Sequence, residues 1–276
     1  MSLVHFNFES QYLHGNTDVN IILPDKPREI NSKAFYGSGE KYKVLWLLHG
    51  TFGDYSDWIR KSNIELYACE RNLAVVMPSA LNSDYADWPN FSIGYDAYHY
   101  FFDELMPIMY NWFPISNKQK DNYISGLSMG GWGTCVYAFN HPEKFAGMAA
   151  LSGVPFNARK AIEQKNELAE GRIEGSVKNA GGLDAYLSSP YNIWDLTAKV
   201  ARSKRSIKMY FSCGDQDPIM YKHYLEFKKY ADEIGLNATF EEIQGYSHEW
   251  RFWDKSIQKT LDFFDIKLSQ PAGNAF

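Results

Sequence analysis

The sequence predicts an α/β fold, a mostly parallel central sheet flanked by helices on both faces. Three observations predict it. Continuous apolar runs of strand length, such as KVLWLLHG and NLAVVMP, suit strands buried on both faces. Stretches with helical spacing alternate with these runs along most of the chain. The length, 276 residues, allows one large domain with a sizeable core.

The elements follow in order. HFNFESQYL alternates apolar and polar positions, as a half-buried strand does, and VNIILP reads as a second strand ended by Pro24. PDKPREINSKAFYGSGE is rich in Pro, Gly and charge and reads as a loop. Between the strands KVLWLLHG and NLAVVMP, SDWIRKSNIELYACERN spaces Trp58, Ile59, Leu66 and Tyr67 as a helix. DAYHYFFDELMPIMYNWF reads as a second helix, which Pro107 kinks or restarts. NYISG is a short strand, GGWGTCVYAFNHPEKF a helix that stops before Pro142, and FAGMAALSG the next strand.

Residues 154–200 break this rhythm. NARKAIEQKNELAEGRIEGS is polar with helical propensity, and NAGGLDAYLSSPYN is turn-rich. The reading is a single domain, 1–276, with a lid-like insertion at about 154–200. Alternation resumes with IKMYFSCG (strand), PIMYKHYLEFKKYADEIG (helix), ATFEEI (strand) and KSIQKTLDFFDIKL (helix). The tail SQPAGNAF is expected to fray.

Composition narrows the function. A net charge of −5 argues against nucleic-acid binding, which needs clustered Lys and Arg. The basic stretch KVARSKRSIK reads as a solvated loop before a strand. Cys69, Cys135 and Cys213 are odd in number and lack metal-ligand spacing, so a reducing, cytoplasmic setting is expected. MSLVHFNFESQYLHG has no basic region followed by an apolar stretch, as a secretory leader would. No apolar run approaches the roughly 20 residues of a membrane span. His5, His14, His99, His141 and His223 fall in no ligand pattern, and Asp54, Asp57, Asp84, Asp87 and Asp96 read as solvated turn residues. No metal and no cofactor are expected.

The string NYISGLSMGGWG carries the chemistry. Gly126-Leu127-Ser128-Met129-Gly130 is a Gly-x-Ser-x-Gly motif between a strand and a helix, the context in which a sharp turn lifts a serine hydroxyl above a sheet. That context belongs to the α/β-hydrolase fold, with Ser128 as nucleophile. Serine needs an adjacent base, and this fold runs Ser, then Asp or Glu, then His. His248, in GYSHEWRFWD between a strand and the last helix, fits the base. The acid belongs after IKMYFSCG, where Asp215 and Asp217 both stand; Asp217 is favoured, the other capping a turn. An oxyanion hole needs two backbone N–H donors, each worth about 3 kcal/mol in the transition state. Met129, after the nucleophile, and Thr51, in His49-Gly50-Thr51-Phe52-Gly53, are the candidates, with His49 in a structural role.

These motifs together resemble the group of tributyrin esterases, esterase D and S-formylglutathione hydrolases, which also holds acetyl and feruloyl carbohydrate esterases and the mycolyltransferase antigens. LLHG with Trp58, GLSMGGWG, CGDQDP and GYSHEWRFWD carry the resemblance, from about residue 40 to 265. It implies cofactor-free hydrolysis of small carboxylic esters, Ser128, Asp217 and His248 as triad, Thr51 and Met129 as oxyanion donors, and room for a homo-oligomer. DWPNFSIGYDAY resembles a stretch near the acyl site, which places Trp88 and Tyr95 at the substrate. The sequence has His49-Gly50-Thr51 where S-formylglutathione hydrolases carry a Ser-Gly loop, which counts against glutathione thioesters. The expectation is therefore a serine esterase for short-acyl esters with a small-molecule substrate as partner. Its rivals are an acetyl or feruloyl esterase for carbohydrate esters, an S-formylglutathione hydrolase and a non-catalytic binding module.

Overall fold

The computed structural model describes residues 1–25, 30–164, 172–203 and 207–269. Eight strands form one sheet: β1 (Ser2–Ser10), β2 (Gly15–Leu23), β3 (Val44–Leu48), β4 (Ala74–Pro78), β5 (Asn122–Leu127), β6 (Gly147–Leu151), β7 (Lys208–Gly214) and β8 (Thr239–Ile243). Their spatial order is β1-β2-β4-β3-β5-β6-β7-β8. β2 runs antiparallel to β1 and β4, and every pairing from β4 onward is parallel. The parallel strands thus present their carboxyl ends along one edge, where ligands bind in open α/β sheets.

The core explains the apolar runs. Successive β3 side chains point to opposite faces, so Val44, Trp46 and Leu48 join one cluster while Leu45 and Leu47 join the other. Helix Met129–Asn140 covers the first face with Val136 and Tyr137; helix Trp250–Phe263 covers the second with Phe252, Ile257 and Leu261. Each such large side chain contributes about 1.5–3 kcal/mol on burial. One polar hub sits inside. Asn122 Oδ1 accepts from Trp46 Nε1 (3.0 Å) and Tyr110 OH (2.8 Å), and its Nδ2 donates to Ser116 O (2.8 Å) and Lys118 O (2.9 Å).

β1 alternates exposed and half-buried residues as its sequence does. Some local readings differ from the structure. The stretch expected as loop after Pro24 contains a short helix, Ser32–Tyr36, because Asn31 Oδ1 accepts from the N–H groups of Lys33 (2.9 Å) and Ala34 (3.4 Å); residues 26–29 lie outside the described residues. The single helix expected near 56–72 is two, Asp57–Lys61 and Ile64–Glu70. Extended Ser62 breaks it and returns its hydroxyl to Trp58 O at 2.5 Å. The restart expected at Pro107 is present: a π-helical segment, Tyr100–Leu105, in which Met106 N–H reaches Phe101 O, gives way to the α-helix Met106–Trp112. Proline's missing N–H is accommodated there without ending the helix.

The stretch expected as an insertion contains the helices Ala158–Gln164, Glu174–Asn179 and Leu183–Ser188, the third within the part read as turn-rich, and most of Ile193–Arg202. The basic stretch before β7 is helical through Arg202; residues 204–206 and the tail 270–276 lie outside the described residues. The last helix begins earlier than expected, at Trp250. Among the described residues no helix is long and apolar enough to cross a membrane.

Candidate active site

Ser128 sits between β5 and helix Met129–Asn140 with φ +52° and ψ −114°, backbone that an L residue enters only at a cost. Its neighbours hold it there. Ser128 N–H donates to Leu151 O (2.8 Å), and Ser128 O accepts from Trp132 N–H (3.0 Å). The two motif glycines allow the approach. A Cβ on Gly126 would stand 2.4 Å from the Gly130 carbonyl, and one on Gly130 would stand 2.5 Å from Leu48 O. The motif therefore marks where β5, the helix and β3 meet at backbone contact.

His248 comes from the loop after β8. Its Nδ1 lies 2.8 Å from Asp217 Oδ2 and its Nε2 lies 3.1 Å from Ser128 Oγ. A carboxylate accepts, so Nδ1 carries the proton and Nε2 faces the serine hydroxyl as acceptor. The ring stands edge-on to Trp253 at 5.0 Å, which limits its rotation.

Asp217, in the loop after β7, is buried, and its Oδ1 accepts from the N–H groups of Ile219 and Met220, both at 2.9 Å. Burial alone would raise its pKa. The hydrogen bond and charge of His248, with the two backbone donors, outweigh that and hold the carboxyl below its usual value. Asp215 faces elsewhere: its Oδ1 accepts from Gly245 N–H at 2.7 Å and closes the turn after β8.

The two donor candidates are both near Ser128. Met129 opens its helix, so its N–H has no intrahelical acceptor. Gly53 N–H closes a turn onto Gly50 O (3.1 Å), and Thr51, the turn's second residue, is not used in that bond. A Cβ built on Gly50 would lie 3.5 Å from Ser128 Cβ, so this turn abuts the nucleophile. Buried His49 braces it. Ala80 N–H donates to His49 Nε2 (2.9 Å), so the proton is on Nδ1 and is donated to Gly50 O (2.7 Å). Burial lowers the pKa of this imidazole, which favours the neutral form that such bonding requires.

A largely apolar cavity opens on Ser128 and Met129. Trp88, Trp132, Phe156, Tyr186, Tyr191 and Ile219 wall it, with Asp84, Asp87 and Arg172 on its polar side. Trp132 stacks on Phe156 at 4.3 Å. Several wall residues belong to 154–200. Trp88 lines the cavity, whereas Tyr95 is buried outside the lining and pairs through its backbone with Trp88. Trp132 was legible in principle, one helical turn beyond Ser128; Arg172, Tyr186 and Tyr191 carry no local signal.

The arrangement can activate a hydroxyl for attack on an acyl carbon and receive an oxyanion beside it. Comparisons with known proteins agree. The family model described as "Putative esterase" matches residues 10–264. An acetyl esterase of Caldicellulosiruptor saccharolyticus is 31% identical over 278 residues, covering 95% of this chain and 98% of that protein. The substrate-bound fluorophosphonate-binding serine hydrolase FphF of Staphylococcus aureus superposes with a TM-score of 0.80 at 30% identity, covering 96% of this chain and 98% of that one. The S-formylglutathione hydrolase FrmB of the same organism gives 0.76 at 30% identity, with 96% and 99% covered. The chain has the α/β-hydrolase fold of these enzymes.

Proposed function

For this chain, which belongs to the Esterase family and is a carboxylic ester hydrolase of the serine type, we propose that Ser128, His248 and Asp217 form the catalytic triad and that short acyl groups are preferred. One observation carries the reading: an unbroken hydrogen-bonded series from Asp217 through His248 to Ser128, at the mouth of an apolar cavity. His248 Nε2 takes the hydroxyl proton as Ser128 Oγ attacks the ester carbonyl. Met129 and Thr51 N–H groups receive the oxyanion, each worth about 3 kcal/mol. The alcohol leaves with the proton from His248, and water then releases the acid by the same steps.

The stacked Trp132 and Phe156, with Tyr186 from the insertion, support a short acyl site. The insertion would then be the wall that sets chain length. The acetyl esterase relative agrees with a small acyl group. Asp84, Asp87 and Arg172 at the cavity edge favour a second reading, in which the alcohol is a hydroxyl-rich sugar. The odd cysteine count, with Cys135 and Cys213 buried as thiols, supports a cytoplasmic setting.

The test is kcat/KM across p-nitrophenyl esters from acetate to octanoate, with acetylated and feruloylated sugars alongside. A maximum between acetate and butyrate supports the proposal. A maximum at octanoate refutes the acyl assignment. A large preference for sugar esters establishes the second reading. Turnover that survives Ser128→Ala refutes the triad.

A further inference from the structure

We propose that Arg172 is a positioning residue, which holds the Thr51 turn at the geometry that oxyanion binding requires. The inference rests on Thr51 being an oxyanion donor, as above. Arg172 Nη1 donates to Thr51 Oγ1 at 2.8 Å. On its other edge the guanidinium is held by Asp84, whose Oδ1 accepts from Nε at 2.8 Å and from Nη2 as well. Asp84 Oδ2 accepts from Ser176 Oγ at 3.1 Å. Three segments distant in sequence therefore converge on one planar cation: the turn after β3, the loop after β4, and the insertion.

The geometry suits positioning better than surface pairing. A planar guanidinium held through two edges is far more restricted than a lysine ammonium would be. The Asp84 side chain is only 12% exposed. Asp84 and the next residue, Tyr85, both adopt left-handed backbone, with φ +56° and +57°. Two adjacent non-glycine residues in that region persist only where their surroundings enforce it. Both side chains serve the same turn. Tyr85 OH donates to His49 O at 2.9 Å, one residue before Gly50, while Asp84 aims Arg172 at Thr51. Phe52, the residue after Thr51, is also left-handed, with φ +62°, and its N–H donates to Asn82 Oδ1 at 2.8 Å. The turn carrying the donor is thus strained backbone whose conformation is imposed from outside, and Arg172, braced by Asp84 and Ser176, brings residues 154–200 into direct contact with it.

A donor that acts on the oxyanion raises kcat without tightening ground-state binding. Losing the hold should therefore lower kcat and leave KM nearly unchanged. The variants are Arg172→Met, Arg172→Lys, Asp84→Asn and Thr51→Val; the last keeps the backbone N–H but removes the Oγ1 acceptor. Thermal unfolding identifies any that fail to fold. We expect Arg172→Met and Thr51→Val each to lose about tenfold or more in kcat on p-nitrophenyl butyrate. The double variant should lose no more than either alone, since both break one contact. Arg172→Lys should recover part of the loss. The inhibition constant of butylboronic acid, whose tetrahedral adduct places an oxygen in the hole, should rise in parallel.

A wild-type kcat in Arg172→Met overturns the inference. So does a loss confined to KM, which would make Arg172 a substrate contact, and so does a loss in Arg172→Met that Thr51→Val does not share. In all three cases wild-type hydrolysis leaves the esterase reading standing. A wild-type enzyme that neither hydrolyses p-nitrophenyl butyrate nor binds the boronate would instead refute that reading.

Discussion

Replacing Asp217 by Asn tests the triad more sharply than removing it. The oxygen Oδ1 accepts two backbone N–H bonds, from Ile219 and Met220, each 2.9 Å. In the amide, the carbonyl oxygen must keep that position, because an NH2 group there would face two donors at a cost of roughly 1–3 kcal/mol for each lost bond. The NH2 group is then forced to the Oδ2 position, 2.8 Å from His248 Nδ1. It can only donate, so Nδ1 must be the acceptor and the ring proton moves to Nε2. That nitrogen lies 3.1 Å from Ser128 Oγ and can no longer take its proton. The expected loss is about 10⁴-fold in kcat, the size seen when a triad histidine is held in the wrong tautomer, or about 5.5 kcal/mol at 1.36 kcal/mol per factor of ten. Fold and cavity stay intact, so KM should change little. Asp215→Asn is the matched control. Its single acceptor role toward Gly245 N–H is one an amide oxygen fills, and activity should stay within about twofold. The assay is steady-state hydrolysis of p-nitrophenyl butyrate at neutral pH. An Asp217→Asn enzyme within tenfold of wild type, or an Asp215→Asn enzyme with the larger defect, would refute the reasoning.

Other consequences follow from the same structure. Asn122→Leu strips the acceptor from Trp46 Nε1 and Tyr110 OH and the donor from two backbone carbonyls, so urea unfolding should show a loss of about 3 kcal/mol or more. Trp132→Ala removes the ring stacked on Phe156 at the cavity wall, so the acyl optimum should move toward longer chains; an unchanged chain-length profile would remove Trp132 from the acyl site. The Asp217 carboxyl has a lowered pKa in the folded state, so it binds its proton less readily there than in the unfolded chain. Its stabilisation is complete above the unfolded value of about 3.9 and is lost as pH falls through the folded one. The stability difference between wild type and Asp217→Asn should thus be flat near neutrality and shift toward the variant below about pH 4.

The parts legible in sequence are those fixed by local backbone geometry. The elbow is readable because Gly126 and Gly130 stand at contacts that exclude any side chain, and that exclusion leaves a spacing in the chain. The sheet is readable because every residue of β3 to β6 is buried, which leaves runs that are wholly apolar in β3, β4 and β6 and interrupted in β5 only by Asn122 and Ser125. The helix breaks were less so. Ser62 ends one helix through its own hydroxyl, and serine occurs in too many other settings for that to stand out. Asn31 starts a short helix inside a stretch whose Pro, Gly and charge argue for a loop.

The cavity was the least legible part, and the reason is geometric. Trp88 and Tyr95 are paired by backbone hydrogen bonds and both pack edge-on against Phe91, yet one lines the cavity and the other is buried outside it. Beside Trp88, the cavity is completed by Tyr191 and Asn179, which dock on Asp87 from residues 154–200. Tyr191 OH accepts from Asp87 N–H at 3.0 Å, and Asn179 Nδ2 donates to Asp87 O at 3.1 Å. These contacts bridge 104 and 92 residues of chain. No periodicity within either segment encodes them. The elbow around Ser128 is therefore legible from a short spacing that the backbone enforces, while the cavity wall is set by long-range docking of residues 154–200. Substitutions at the cavity-lining positions Tyr186 and Tyr191 are accordingly expected to change which ester is cleaved while leaving the Asp217–His248–Ser128 hydrogen bonds intact.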